Sequence, residues 1–172
     1  MNRRHLLSLS MIAALAIALL PSNAFAQQKS LKEQLVGTWA LVSAETTNKD
    51  GSKVHSFGPN PKGMVIFAAD GRYVQVNISA ALPKFASGNR MTGSAEENKA
   101  VVQGSIAYYG TWSVDEATKL VSQHVDANTY ALHTGTAYKR PISTLTADDL
   151  VFTNPGSSAG GGSTVLTFKR VK

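Results

Sequence analysis

Between residues 37 and 170 the chain is a succession of short segments in which apolar and polar residues alternate, each closed by a turn signal. Period-two alternation is a strand signature, because successive side chains on a strand point to opposite faces. The segments run over residues 36–46, 63–68, 71–78, 105–114, 119–127, 135–142, 150–153 and 163–170. Eight short strands separated by turns predict an all-β antiparallel barrel or sandwich. The second and third, flanking Ala69-Asp70, form a hairpin. Residues 52–62 hold Pro59 and Pro61 and are expected to be partly irregular.

Helix is a minor component. Residues 30–35 read as one or two helical turns, with Ser30 and Glu33 at capping-box spacing and Leu31 and Leu35 on one face, placed to plug a barrel end. Gly37 lets the backbone turn tightly out of this helix. Trp39, on a face with Leu41 and Ser43, then lies across the barrel floor. A second short helix is expected over residues 94–102, with Glu96 and Glu97 favouring its N-terminal dipole. With the loop before it, this helix is a candidate lid over one mouth.

The N-terminus reads as a targeting segment and not as part of the fold. Arg3, Arg4 and His5 precede an apolar run from Leu6 to Leu20, followed by Pro21 and the small-x-small site Ala24-Phe25-Ala26. The apolar run is shorter than the roughly 20 residues of a spanning helix. The expectation is a signal peptide over residues 1–26 and one domain over residues 27–172, periplasmic or secreted, with no stable membrane insertion after cleavage. The paired arginines leave Sec and twin-arginine export both open.

Composition closes several function classes. The formal net charge is +6, and two of those charges belong to the leader. The remaining basic residues are scattered without a stripe, which gives no support to nucleic-acid binding. There is no cysteine, so the chain has no disulfide, thiol nucleophile or thiolate metal site. His55, His124 and His133 are too loosely spaced for a zinc signature, and no metal site is expected. The glycine-rich run at 156–162 lacks the Gly-Lys-Ser/Thr of a phosphate loop and reads as a hairpin loop. No cofactor motif and no nucleophile elbow are present.

The segment Leu35-Val36-Gly37-Thr38-Trp39-Ala40-Leu41-Val42-Ser43 resembles the opening of the calycins, and the chain as a whole resembles the bacterial and fungal lipocalin-like domain family. The resemblance also rests on Gly63-Met64-Val65-Ile66-Phe67 with Asp70-Gly71-Arg72-Tyr73, on Gly104 through Asp115, and on His124-Val125-Asp126 followed by Gly135-Thr136 and Arg140. The chain departs from it at Asn128-Thr129-Tyr130, where the family usually carries an Asn-Trp pair. The resemblance implies an up-and-down lipocalin-like barrel with an internal cavity. It also implies that Arg170 packs over Trp39 to close one end, making Gly37, Trp39 and Arg170 structural residues.

Tyr73, Tyr108, His124 and Arg140 are the candidate ligand-binding residues, being polar groups within alternating strands that would orient a ligand if their faces point inward. The face carrying Tyr73, Gln75 and Asn77 is either solvated or a polar interior. No catalytic residue is assigned, although His124 with Tyr108 or Arg140 has the chemistry of a base and an oxyanion partner. The expected function is binding of a small hydrophobic or amphipathic ligand in the barrel. The alternatives are an isomerase, cyclase or dehydratase using the same cavity, or a ligand-free envelope or stress protein.

Overall fold

The computed structural model describes residues 29–158, 160 and 162–172. The expected leader over residues 1–26 lies outside the described residues. Helix α1 (Leu31–Leu35) precedes strands β1 (Gly37–Thr47), β2 (Lys53–His55), β3 (Lys62–Phe67) and β4 (Arg72–Ile78). Helix α2 (Ala95–Gly104) follows, then β5 (Ser105–Asp115), β6 (Leu120–Asn128), β7 (Ala137–Leu145), β8 (Asp149–Asn154) and β9 (Ser163–Arg170). Each strand from β3 to β9 pairs antiparallel with its successor, and β9 pairs back onto β1. The sheet is therefore an eight-stranded closed up-and-down barrel, with β2 as a short ninth strand. Closure leaves the barrel proper without free edges.

The unanticipated strand β2 lies in the proline-containing segment expected to be irregular. It pairs with the C-terminal end of β1 (Glu45↔His55), while β3 pairs with its N-terminal end (Gly37↔Phe67). Together β2 and β3 take one position beside β1. Pro141, placed near the end of its strand by the sequence, falls inside β7, which continues to Leu145. A register shift between Ile142 and Thr144 follows it.

One end of the barrel is packed solid. Leu35, Trp39, Val65, Phe67, Val121, Leu150, Phe152 and Phe168 are fully buried there. Phe67 and Trp112 meet at 4.9 Å between ring centroids, and Trp112 Nε1 donates to the Ala68 carbonyl at 3.0 Å. Helix α1 forms the plug. Ser30 and Glu33 make the reciprocal capping box, and the Glu116 carboxylate accepts from the Leu31 and Lys32 amides at 2.9 and 3.2 Å.

Gly37, Trp39 and Arg170 lock this end together. Trp39 Nε1 donates to the Leu35 carbonyl at 2.8 Å, and the Arg170 guanidinium lies 3.9 Å over the indole. Arg170 also donates to the carbonyls of Gln34 and Val36, satisfying groups that a five-residue helix leaves unpaired at its end, and to the Ala147 carbonyl in the turn between β7 and β8. Gly37 has φ +133°, and a Cβ there would approach Arg170 Nη1 to 2.7 Å. A glycine is required on both counts.

Two β-bulges redirect side chains. In β1 the register against β9 slips between Leu41 and Ser43. The inward face consequently passes from Trp39 and Leu41 to Ala44 and Thr46, and Ser43 does not continue the Trp39 face as its spacing predicted. An extra residue in one strand shifts the parity of everything beyond it. The second bulge lies in the β5–β6 pairing at Tyr109/Gly110, where a Cβ on Gly110 would overlap the His124 carbonyl oxygen.

Candidate functional site

Opposite the plug, the barrel interior is open. A cavity of about 680 Å³ extends from mid-barrel to the mouth. That size lies within the ~300–1,000 Å³ of small-molecule sites. Phe57, Val101, Val102, Ile106 and Leu166 supply apolar walls. Helix α2, capped by Ser94 and Glu97, reaches the cavity through Val101, Val102 and Gln103 near its C-terminal end. None of its residues is buried.

The polar lining follows from strand parity. In β4 the inward residues are Tyr73, Gln75 and Asn77, while Arg72 and Val74 face out. The alternation is the one visible in the sequence, and the structure settles its sense: this face is interior. β5 contributes Tyr108 and β7 contributes Tyr138 and Arg140, which line the cavity with Asn77; Tyr73, Gln75 and, on β6, Gln123 are buried inside the barrel without lining it. Tyr73 and Tyr108 meet edge to face at 6.2 Å, and Tyr108 and Tyr138 at 5.4 Å.

Arg140 is the centre of this cluster and is only 2 % exposed. Its Nη2 donates to Tyr108 Oη at 2.9 Å. Its guanidinium carbon lies 4.8 Å from the Tyr138 ring centroid, 5.2 Å from that of Phe152 and 5.9 Å from that of Tyr108. Aromatic faces attract a cation, although less strongly than a carboxylate does. Arg140 Nε and Nη1 have no hydrogen-bond partner among the described residues, and neither do Tyr73 Oη and both amide atoms of Gln123. Among the described residues no aspartate or glutamate lines the cavity.

The tyrosines cannot supply the missing negative charge at neutral pH. Burial pushes the Tyr108 phenol up to about 12, against a smaller downward pull from Arg140. Burial also raises Tyr73 and, to a lesser degree, Tyr138. Phenols in these environments are hydrogen-bond donors and not phenolates.

His124 is a correction. It stands on the outer face of β6, its side chain 55 % exposed and 3.9 Å from Asp126 Oδ1. Val121, Gln123 and Val125 occupy the inner positions of that strand, so alternation drives His124 outward. It does not meet Tyr108 or Arg140 in the cavity. The imidazole at the cavity is instead that of His133, in a 3₁₀ turn (Ala131–His133) between β6 and β7. His133 Nδ1 and Tyr138 Oη are 2.6 Å apart, and Asn128 Nδ2 donates to the same hydroxyl at 3.0 Å.

Of the sequence candidates, the structure brings Tyr73, Tyr108 and Arg140 into one buried cluster and leaves His124 outside. Sequence reading passed over His133 and Tyr138, which both line the cavity. Tyr138 was recoverable, because it shares period-two parity with Arg140. His133 was not, because a turn carries no periodicity to show where its side chain goes. Among the described residues no cluster of three or more His, Cys, Asp or Glu is placed to hold a metal. Among them, too, no helix is long and apolar enough to cross a membrane.

The family comparison agrees with this architecture. The family model described as a lipocalin-like domain matches residues 36–171. No curated protein matches the chain. Similar solved structures include a lipocalin-like protein from Bacteroides uniformis, 14 % identical, covering 80 % of this chain and 99 % of its own with a TM-score of 0.44. A redesigned β barrel is also 14 % identical, covering 84 % of this chain and 98 % of its own with a TM-score of 0.43. A closed eight-stranded barrel, its floor sealed by Trp39 and Arg170 and its family model spanning every strand, leaves one assignment: the chain belongs to the lipocalin-like domain family.

Proposed function

We propose that the protein is an exported binding protein that holds a small, mostly apolar ligand inside the barrel. The observation that carries this reading is the cavity itself: about 680 Å³, with apolar wall from Phe57, Val101, Val102, Ile106 and Leu166 interleaved with polar side chains, and Arg140 and Tyr108 at its inner end. Burying apolar ligand surface there contributes roughly 25 cal/mol per Å² removed from water. The polar groups then select and orient the ligand. Export rests on the n-region, apolar run and cleavage site of residues 1–26.

The enzymatic alternative has one observation in its favour, the short contact between His133 and Tyr138 at the cavity. It uses the same interior, and it requires turnover where the binding reading requires only occupancy.

The test is a neutral apolar fluorophore, N-phenyl-1-naphthylamine, titrated into the mature protein. Saturable fluorescence enhancement is expected. Ile106→Trp, which fills the cavity from its wall, is expected to abolish the enhancement while circular dichroism stays unchanged. A wild type that gives no enhancement, or an Ile106→Trp variant that binds as well as wild type, contradicts the reading.

A further inference from the structure

We infer that the natural ligand is a monoanionic amphiphile, a carboxylic acid with an apolar body, whose carboxylate seats against Arg140. The inference rests on the cavity-binding reading and adds the ligand's charge and orientation.

The argument begins with a charge out of place. A guanidinium does not lose its proton in a protein. Arg140 is nonetheless almost wholly buried, and only one of its contacts is a hydrogen bond from nitrogen to oxygen, that to the neutral Tyr108 hydroxyl. Buried charges are ordinarily paired. Here the three nearest aromatic rings provide only their faces, two of the three guanidinium nitrogens are without a partner, and no carboxylate among the described residues lines the cavity. An arginine retained under these conditions is built to meet an anion that arrives from outside.

The neighbouring groups fit the same anion. Tyr108 and Tyr73 are protonated donors, and the Tyr73 hydroxyl is buried without a partner. The Gln123 amide is also buried and unpartnered, and in the β6–β7 register it stands opposite Tyr138. The Tyr108 hydroxyl touches the cation, and Tyr73, edge to face with Tyr108, brings a further hydroxyl into the same buried cluster. A planar carboxylate matches the fork of a guanidinium, and each charge-assisted hydrogen bond is stronger than a neutral one.

Charge count and polarity set the rest of the ligand. Among the described residues Arg140 is the only lysine or arginine lining the cavity, so one negative charge neutralises the site and a dianion overcompensates it. Arg140 pairs in register with Val121 of the packed core, which places it at the inner end. Phe57, Val101, Val102 and Ile106 line the way out. The carboxylate is therefore innermost, with the apolar body directed toward α2 and the mouth.

The test is competition against bound N-phenyl-1-naphthylamine by three twelve-carbon chains below their micelle concentrations: dodecanoate, dodecanol and dodecyltrimethylammonium. Wild type is expected to prefer dodecanoate over dodecanol by at least about tenfold, the range of a hydrogen bond to a charged group, and to bind the ammonium most weakly. Arg140→Met is expected to bring dodecanoate and dodecanol to parity while retaining the neutral probe. Tyr108→Phe, which removes one hydroxyl, is expected to reduce the preference without abolishing it. Should Arg140→Met not fold, the wild-type ranking and Tyr108→Phe still decide the matter. Parity or an alcohol preference in wild type, or an undiminished carboxylate preference in Arg140→Met, overturns the inference and leaves the binding reading standing. Failure of the probe to bind wild type overturns both.

Discussion

Trp39→Ala is expected to lower the free energy of unfolding by about 5 kcal/mol, measured as a shift in the urea midpoint. Truncating a buried tryptophan or phenylalanine to alanine ordinarily costs about 3–5 kcal/mol. Two further losses are specific to this position. The Leu35 carbonyl loses the Trp39 Nε1 donor, worth about 1 kcal/mol. Arg170 loses the ring it lies over, worth roughly 0.5–2 kcal/mol. These terms are not additive, because all three groups share one seal between α1 and the barrel floor. Small domains have only about 5–15 kcal/mol in hand, so the variant populates the unfolded state measurably in water. Trp39→Phe keeps most of the apolar area and loses the indole donor, and is expected to cost about 1–2 kcal/mol. A Trp39→Ala midpoint indistinguishable from wild type would contradict the role assigned to the seal.

Alkaline pH is expected to destabilise the protein through the cavity tyrosines. Tyr108 titrates near 10 when unfolded and is pushed up to about 12 in the fold. Its folded pKa lies above its unfolded one, so its contribution is complete below pH 10. That contribution is lost as pH rises from about 10 through about 12, because the unfolded chain ionises first. Two units at about 1.4 kcal/mol each give a loss of roughly 2–3 kcal/mol from Tyr108 alone. Tyr73 and Tyr138 are raised for the same reason and add to it in the same direction. Urea midpoints at pH 9 and pH 11.5 measure the effect, and phenolate absorbance of buried Tyr73 and Tyr108 is expected to appear together with loss of structure. In Tyr108→Phe the decline between these pH values should be shallower. An equal decline in wild type and variant would show that Tyr108 does not carry it.

Strand content was legible in the sequence because alternation and turn residues are local properties. The β3–β4 hairpin, β5, β6 and β9 fall within a residue or two of where the pattern puts them. The Ser30–Glu33 and Ser94–Glu97 capping boxes form as reciprocal hydrogen bonds, the first of them at the spacing read in advance. What alternation does not carry is its sense. A strand such as β6 can face inward with Val121, Gln123 and Val125 or with Leu120, Ser122 and His124. Only burial of the two valines decides it, and that decision removed His124 from the site. Bulges are the second limit, since one extra residue near Val42 exchanges the faces of β1 without any mark in the alternation. Turn residues are the third: His133 reaches Tyr138 from a 3₁₀ turn whose direction depends on how β6 and β7 end. Arg140 was legible as a candidate, but a cavity lining without aspartate or glutamate among the described residues is a property of the closed barrel alone.

The claim that organises all of this is that the open end of the barrel exists to hold a small molecule. Native mass spectrometry of the mature protein, purified without detergent from cells that naturally make it, tests that claim most directly. The account predicts a protein peak carrying an additional mass of a few hundred daltons, released on unfolding and, from the Arg140 cluster, detected as an anion. Bare protein mass alone, together with no uptake of the neutral probe, would contradict it.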